Sequence, residues 1–596
     1  MRRLVVLAAA FGLCTPVLAP AAAPPQPATH AATDSAAAAP VPHPSTQPCV
    51  VTLFHNTAFG DHGNPTSRAA KPRPWTYAPP SGCAGPWARV VLQADFSVNA
   101  GRQYDRTVSL WLDGVNLYFG TTREPSADVA PRWHVERDLT DYAALFRHAG
   151  HGQTILNNWV GGPYTGVIRG SARLLFYPAP GGTAARRPAA RVYGLVGDSN
   201  GHPVSVADGK QTLQRTLTLP RNIERAYLDV IAQSQDTDEQ WFMCIDDADV
   251  ARTAPFSLGP PSSGYPIQEC GHGNFREVVV SIDGQPAGLA PVYPWIYTGG
   301  VDPFLWRPTP DIQTLAFTPY RIDLTPFAGL LDNGKPHTIA VRVAGAHDFF
   351  SLAANLLLYT SPTDKVLSGS VTRNTLTASA PGPATVRRHF TPGAAGTFNG
   401  NVDTAWRAHY VIAGELATPR GKIITQVSQR ARYANRQRFE HPGADVYKQT
   451  IDFVTRVTNR VRTTTTTGTR TRTQRLRYPL TLAIDKTLQP GGAFTAAIAL
   501  TQGYRDDRRS NGGDKAPFWS RLDNTLATHD TVGFNAGGTA ITGHHDQYGH
   551  QVYRFRDSLG SCYARAVHSR DGAITRTRTG IGCPAGNNRL NPASRP

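Results

Sequence analysis

The hydrophobic pattern alternates at period two along much of the chain, and the clearest stretch is Gly101 to Phe119. There Val108, Leu110 and Leu112 alternate with other residues and run into Asp113-Gly114. Alternation of this kind predicts a half-buried strand, and Asp-Gly predicts a tight hairpin turn. The stretches Arg89-Val90-Val91-Leu92 and Arg173-Leu174-Leu175-Phe176-Tyr177 read as further strands.

The pattern occurs twice. Arg89 to Leu92 matches Arg225 to Leu228, and Arg106 to Gly114 matches Arg276 to Gly284. Asp138-Leu139-Thr140 matches Asp323-Leu324-Thr325, and Leu174 to Tyr177 matches Leu356 to Tyr359. Four ordered matches predict a duplication, in which two antiparallel sandwiches of the jelly-roll kind stand in tandem. The Asp-Leu-Thr segments read as short helical turns with Asp as the cap. The fold class is therefore all-β: two tandem jelly-roll-like β-sandwiches plus a β-rich C-terminal domain.

The duplication separates scaffold from chemistry. Arg106 and Arg276 correspond, as do Asp113 and Asp283, but Asp105 corresponds to Phe275. The fold alone does not ask for a carboxylate there. The second copy also carries an insertion between Leu228 and Phe275, which holds Asp236, Asp238, Glu239 and Trp241, with Cys244 and Cys270. A loop pinned by a disulfide and carrying carboxylates is a favourable place for a site.

Length and composition set the remaining bounds. At 596 residues, with 55 Gly, 48 Pro and two Met, the chain is loop-rich, built of several domains and unlike a helical bundle. Residues 1–23 have the charged, apolar and A-x-A regions of a cleavable signal peptide. Residues 24–46 form a Pro/Ala-rich spacer expected to be disordered. A first lobe is expected over 47–178, a linker over 179–190, a second lobe over 191–360 and a β-rich region over 361–596. No later run is long and apolar enough for a transmembrane helix, so the expected location is secreted or periplasmic. Outside the leader the cysteines fall into three near pairs. Proximity favours Cys49–Cys83, Cys244–Cys270 and Cys562–Cys583 among fifteen pairings.

The formal charge is +17. It reads as a solvated-surface bias ahead of a polyanion partner, and no run interleaves basic residues with stacking aromatics as a nucleic-acid binder would. Arg462 to Arg475 (RTTTTTGTRTRTQR) is polar on both faces and predicts an edge hairpin or a mobile loop. His544, His545, Asp546 and His550 fit no defined metal spacing, and Gly543 and Gly549 place them in a solvated loop. The many tryptophans read as sandwich core, with exposed ones available as sugar platforms.

Two carboxylates in different lobes, Asp105 beside Arg106 and Glu239 near Trp241, suit acid/base hydrolysis. On charge and spacing alone a glycosidase, an amidase and a non-catalytic carbohydrate-binding or adhesin protein all stay open.

Longer motifs narrow the choice. Gly101-Arg102-Gln103-Tyr104-Asp105-Arg106, Thr121-Thr122-Arg123-Glu124-Pro125, Trp133-x-Val135-Glu136 and Tyr164-Thr165-Gly166-Val167 stand in the first lobe. Asp238-Glu239-x-Trp241, Phe275-Arg276-Glu277-Val278, Ile296-Tyr297-Thr298-Gly299-Gly300 and Leu305-Trp306-Arg307-Pro308 stand in the second. Together they resemble the acid-active peptide:N-glycanase (peptidyl-asparagine amidase A) family. The resemblance implies hydrolysis of the amide between an Asn side chain and the first N-acetylglucosamine of an N-glycan. It implies N-glycosylated peptides and glycoproteins as partners, a monomer, and neither metal nor cofactor. It implies Asp105 and Glu239 as catalytic residues. Substrate contacts are expected from Arg106, Glu124, Trp133, Asn157, Asn158, Trp159, Trp241 and Arg276. A fainter resemblance to the smaller flavobacterial peptide:N-glycanases aligns Asp105 and Glu239 with two of their acidic residues, while Asn157 stands where those enzymes carry a third.

Overall fold

The computed structural model describes residues 33–596 apart from 34, 37–38, 63–70, 182–186, 259–270, 394–396, 514–515, 539 and 585–586. The expected leader lies outside the described residues. Among them the strands build two sandwiches and one large sheet.

The first sandwich pairs Cys49–Phe59, Ile168–Pro178, Trp87–Val98 and Arg132–Asp138 in one sheet. Arg73–Tyr77, Gly150–Leu156, Thr107–Leu112 and Val115–Thr121 make the other. The second sandwich repeats this order strand for strand. Arg191–Gly194, Phe349–Thr360, Ile223–Gln235 and Tyr320–Asp323 face Leu213–Thr218, Pro336–Ala344, Glu277–Ile282 and Gln285–Pro291. The repeat read from the sequence is thus a repeat of topology. Both Asp-Gly pairs turn with positive φ at each residue, Asp113 (47°) and Gly114 (78°), Asp283 (51°) and Gly284 (77°). Those values suit the primed turns that two-residue hairpins need. Both Asp-Leu-Thr segments start 3₁₀ helices, with the Asp138 and Asp323 side chains accepting from the Thr140 and Thr325 amides.

The third region is a meander of strands up to 23 residues long, paired in register from Phe398–Thr418 through Ala573–Thr579. Such lengths far exceed the usual five or six residues. Alternate residues bury one face, so that Tyr410, Tyr433, Phe453 and Tyr478 join the second sandwich in one apolar core. The other face is polar. Arg462–Arg475 forms a hairpin as expected, with its turn at Thr465–Gly468, but its strands are interior to the sheet and not an edge or a loose loop. His544, His545, Asp546 and His550 lie in the strand Ile541–Asp557 rather than in a loop.

The disulfides Cys49–Cys83 and Cys562–Cys583 form as expected. Cys244 is disulfide-bonded, and its expected partner Cys270 lies outside the described residues. The tail of the expected spacer is held on the first sandwich. The Val41 amide donates to Glu136, and His43 stacks on Tyr177.

The sandwiches are locked together by polar contacts. The Asn116 amide donates to Asn355 Oδ1, and Asn355 Nδ2 donates back to the Asn116 carbonyl. The Thr121 amide donates to the Thr314 carbonyl, and Phe317 to that of Phe119. Arg321 bridges Asp141 of the first sandwich and Asp229 of the second, and Arg595 from the chain end also binds Asp141.

Several scaffold carboxyls are pushed upward by burial: Asp311 to about 8, Asp332 to about 7, and Glu277 well above its usual value. Each keeps its proton in the folded protein at a pH where the unfolded chain has lost it. Their stabilising contribution is full below the unfolded value near 4 and falls as pH rises through the folded values. Thermal melts should therefore give a lower Tm at about pH 8 than at about pH 5, with the drop reduced in Asp311→Asn and Asp332→Asn. A Tm that rises across this interval would contradict the assignment.

Candidate active site

Asp105 precedes the strand Thr107–Leu112 at the lobe boundary and is half-buried. Its Oδ2 accepts a 2.7 Å hydrogen bond from the Gly299 amide of the second sandwich. The Asp105 amide donates to Glu124 Oε1 at 3.1 Å. A Cβ on Gly299 would stand 2.4 Å from Glu124 Oε1 and 3.4 Å from Asp105 Oδ2, so any larger residue here would have to displace the Glu124 carboxyl.

Electrostatics split the pair. Burial raises both carboxyls, and the Asp105 charge raises Glu124 further, to about 8. The Gly299 amide and the Arg106 guanidinium oppose the shift at Asp105. Adjacent carboxyls do not readily ionise together. At Glu124 burial and the Asp105 charge outweigh the Asp105 amide, Arg307 and Arg106, so Glu124 is the member that holds the proton at acidic and neutral pH.

The Gly299 segment is pinned on both sides. Thr298 Oγ1 donates to the Thr122 carbonyl at 2.9 Å, and Thr122 Oγ1 accepts from the Arg106 amide at 2.8 Å. Downstream, Trp306 Nε1 donates to the Gly300 carbonyl, and Arg123 donates to the Trp306 carbonyl. Thr528 and Gln547 of the large sheet donate to the carbonyls of Leu305 and Arg307. His544 stacks on Phe304 at 3.6 Å. Asp302 faces Asp530 of the large sheet, and burial and that neighbouring charge hold Asp302 protonated.

Glu239 follows the 3₁₀ turn Asp236–Asp238 and is half-buried. Its neighbour Asp238 anchors the turn. Asp238 accepts from Arg276 Nε and Nη2 and from the amides of His347, Asp348 and Phe349. Tyr297, whose hydroxyl donates to the Ser234 carbonyl, has its phenol pushed well up, first by burial and then by Glu239, with a smaller push from Asp105. Both carboxylates therefore lie within electrostatic reach of one ring.

A platform of aromatic rings adjoins Asp105. Trp159 packs edge-on to Tyr164 at 5.4 Å, and Tyr164 packs on Tyr104 at 5.2 Å. Arg102 lies over Tyr164 and Arg106 over Tyr104. Gln103 ties this loop to the Asp105 segment. Its Nε2 donates to the carbonyls of Trp159 and Gly166, and its Oε1 accepts from the Tyr104 amide and from Arg106 Nη2.

The expected site residues divide in two. Asp105, Arg106, Glu124, Asn157, Trp159 and Glu239 are half-buried. The other four are scaffold instead. Trp133 is buried against Phe96 in the first core. Trp241 is buried between Tyr433 and Phe453 of the large sheet. Asn158 spends its amide on the carbonyls of Phe59 and Gly166. Arg276 is buried and spends its donors on Asp238 and the carbonyls of Gly273 and Phe275. Each is shielded from solvent. The structure adds Gln103, Tyr104, Tyr164, Tyr297 and Gly299 to the surroundings of the expected residues. The Gly299-Gly300 pair within Ile296 to Gly300 was the signal for a close backbone approach.

A carboxylate braced by an amide, a carboxyl raised beside it and an aromatic shelf form a candidate site at the lobe boundary. A family model described as "Peptide N-acetyl-beta-D-glucosaminyl asparaginase amidase A" matches residues 40–375, more than half the chain, and the chain belongs to that family. It is 25% identical over 566 residues to a peptide-N4-(N-acetyl-beta-glucosaminyl)asparagine amidase A of Prunus dulcis, covering 91% of this chain and 92% of the relative. Among solved structures, PNGase F, a glycosylasparaginase from Flavobacterium meningosepticum, aligns with a TM-score of 0.34 at 12% identity, over 53% of this chain and 96% of its own. PNGF-II aligns with a TM-score of 0.32 at 11% identity, over 53% and 66%.

Gly299→Ala should leave the Tm within about 2 °C of wild type yet lower kcat/KM on a glycopeptide by about a hundredfold, because the methyl group displaces Glu124. Near-normal turnover in a folded Gly299→Ala variant would remove this contact from the mechanism.

Proposed function

We propose that this chain hydrolyses the amide joining an Asn side chain to the first N-acetylglucosamine of N-glycosylated peptides and glycoproteins, with Asp105 as the base. The observation that carries the assignment is the Asp105 carboxylate, held by the Gly299 amide beside a Glu124 that keeps its proton. Asp105 takes a proton from water as the oxygen attacks the amide carbonyl. The carbon–nitrogen bond then breaks, and the nitrogen leaves on the sugar as a glycosylamine, taking up the proton that Asp105 removed from water. The glycosylamine later loses ammonia to water, and the Asn has become Asp. Glu239, from the other lobe, positions or protonates the peptide end, and Tyr104, Tyr164 and Trp159 offer faces for the sugar. Arg106 and Asn157 are the polar groups placed to contact the glycan. Supporting a secreted enzyme are the leader pattern and the disulfides.

Asp105→Asn should fold normally and lose about 10³-fold in kcat/KM, within the range for removal of a general base. The assay is mass spectrometry of a treated glycopeptide. Near-normal conversion of Asn to Asp by that variant would sink the assignment, and a single N-acetylglucosamine left on Asn would point to a glycosidase. Glu124 gives a second handle. Wild-type kcat/KM should fall as pH rises through about 8. In Glu124→Gln that limb should flatten, while activity at acidic pH stays within about tenfold. An unchanged alkaline limb would show that Glu124 does not set it.

A further inference from the structure

The outward face of the large sheet carries a row of arginines directly opposite one another. Arg407 pairs with Arg432, Arg432 with Arg456, Arg456 with Arg477 and Arg477 with Arg505 on five successive strands. At a strand spacing of about 4.8 Å the row spans about 19 Å. Like charges placed opposite each other in a sheet are destabilising. Only at its end does a carboxylate enter, where Arg505 meets Asp523 at 3.1 Å. Partial burial and the charges of Arg456 and Arg505 pull the Arg477 guanidinium down.

Beside this row the sheet curves into a recess of about 660 Å³. Arg430, Arg460 and Arg475 line it with Thr458, Thr471 and Thr473, and no carboxylate does. Among the described residues these three arginines make no ion pair. In register beyond Arg460 come Thr473, Arg509 and then Trp519, which is 46% exposed. Each recess arginine stands opposite a hydroxyl residue, Arg430 and Arg475 across Thr458 and Arg460 across Thr473, and Asp507 opposite Arg475 is engaged by Arg521, so three guanidinium charges ring the hollow without a carboxylate of their own. A bound polyanion removes the repulsion.

We propose that this face binds a linear polysaccharide bearing carboxylate or sulfate groups, and so holds the amidase on an anionic polymer away from its active site. Arginine forks match carboxylate and sulfate, and the threonine hydroxyls between them match sugar hydroxyls. Trp519 offers a flat apolar face to a sugar ring about 14 Å along the row. Single-stranded nucleic acid needs a stacking ring for successive bases, and the recess has none. A lipid surface makes no use of a concave, hydroxyl-lined hollow.

The test is binding of a heparin fragment to the full chain in about 150 mM salt, compared across variants of equal charge. Arg430→Gln/Arg460→Gln/Arg475→Gln should weaken binding by at least about tenfold. Arg132→Gln/Arg169→Gln/Arg191→Gln, exposed on the other lobes, should change it less than about twofold. Glycopeptide hydrolysis should be unchanged in both. Arg456→Gln, which interrupts the row, should weaken heparin binding and raise the Tm, so the proposal stays testable if the triple variant folds poorly. Equal loss in both triple variants would reduce the face to general charge and overturn the proposal. So would equal binding of neutral dextran, or tighter binding of anionic vesicles or an oligonucleotide with the same sensitivity to the recess variant.

Discussion

At the candidate site the Gly299 amide of the second sandwich donates across the lobe boundary to Asp105 Oδ2. Much of the architecture is explained by what that contact requires. A carboxylate with limited access to water needs donors, or it takes up a proton and loses its basicity. The donor comes from the second sandwich, so the two sandwiches must dock in one arrangement. The reciprocal Asn116–Asn355 pair and the Thr121–Thr314 contact supply that register. The segment after Gly299 must also stay put, and it does so by lying against the large sheet through Leu305, Arg307 and Phe304. The third region is therefore joined to the candidate site by a short strap, although it contributes no residue to the carboxyl pair.

The duplication shows how one fold carries two tasks. At corresponding positions the first sandwich has Asp105 and the second has Phe275, which packs on Trp406 and Tyr433 of the large sheet. The same end of the sandwich carries the candidate site in one copy and a docking surface in the other. Arg106 and Arg276 diverge in the same way. Arg106 is half-buried beside Tyr104, whereas Arg276 is sealed against Asp238. Through Asp238 it fixes the turn that ends on Glu239, so the second copy of a scaffold arginine holds the second candidate carboxylate.

Strands, turns and the repeat were legible because each is written locally. Period-two alternation, Asp-Gly and Asp-Leu-Thr need no distant partner to be read. Asp105 was legible by comparison of the copies, since nothing in the fold explained it. Burial was not legible. Trp133, Trp241, Asn158 and Arg276 have the side chains of sugar-binding residues, and only the packing of the sheets shows that they face inward. Glu124 is expected from sequence to touch substrate, and its raised carboxyl arises from burial and then from Asp105, neither of which is local in sequence. The polar Arg/Thr segment was misplaced as an edge for a related reason. A strand polar on its outer face still fits the interior of a sheet when only one face is covered.

Because the account rests on water attacking the amide carbonyl rather than the sugar, the direct measurement is hydrolysis of a glycopeptide in heavy-oxygen water. The account predicts an Asp whose new side-chain oxygen carries the label, formed by the wild-type chain and not by Asp105→Asn. A peptide that keeps a sugar on an unlabelled Asn, or a labelled Asp formed equally well without the Asp105 carboxylate, would contradict it.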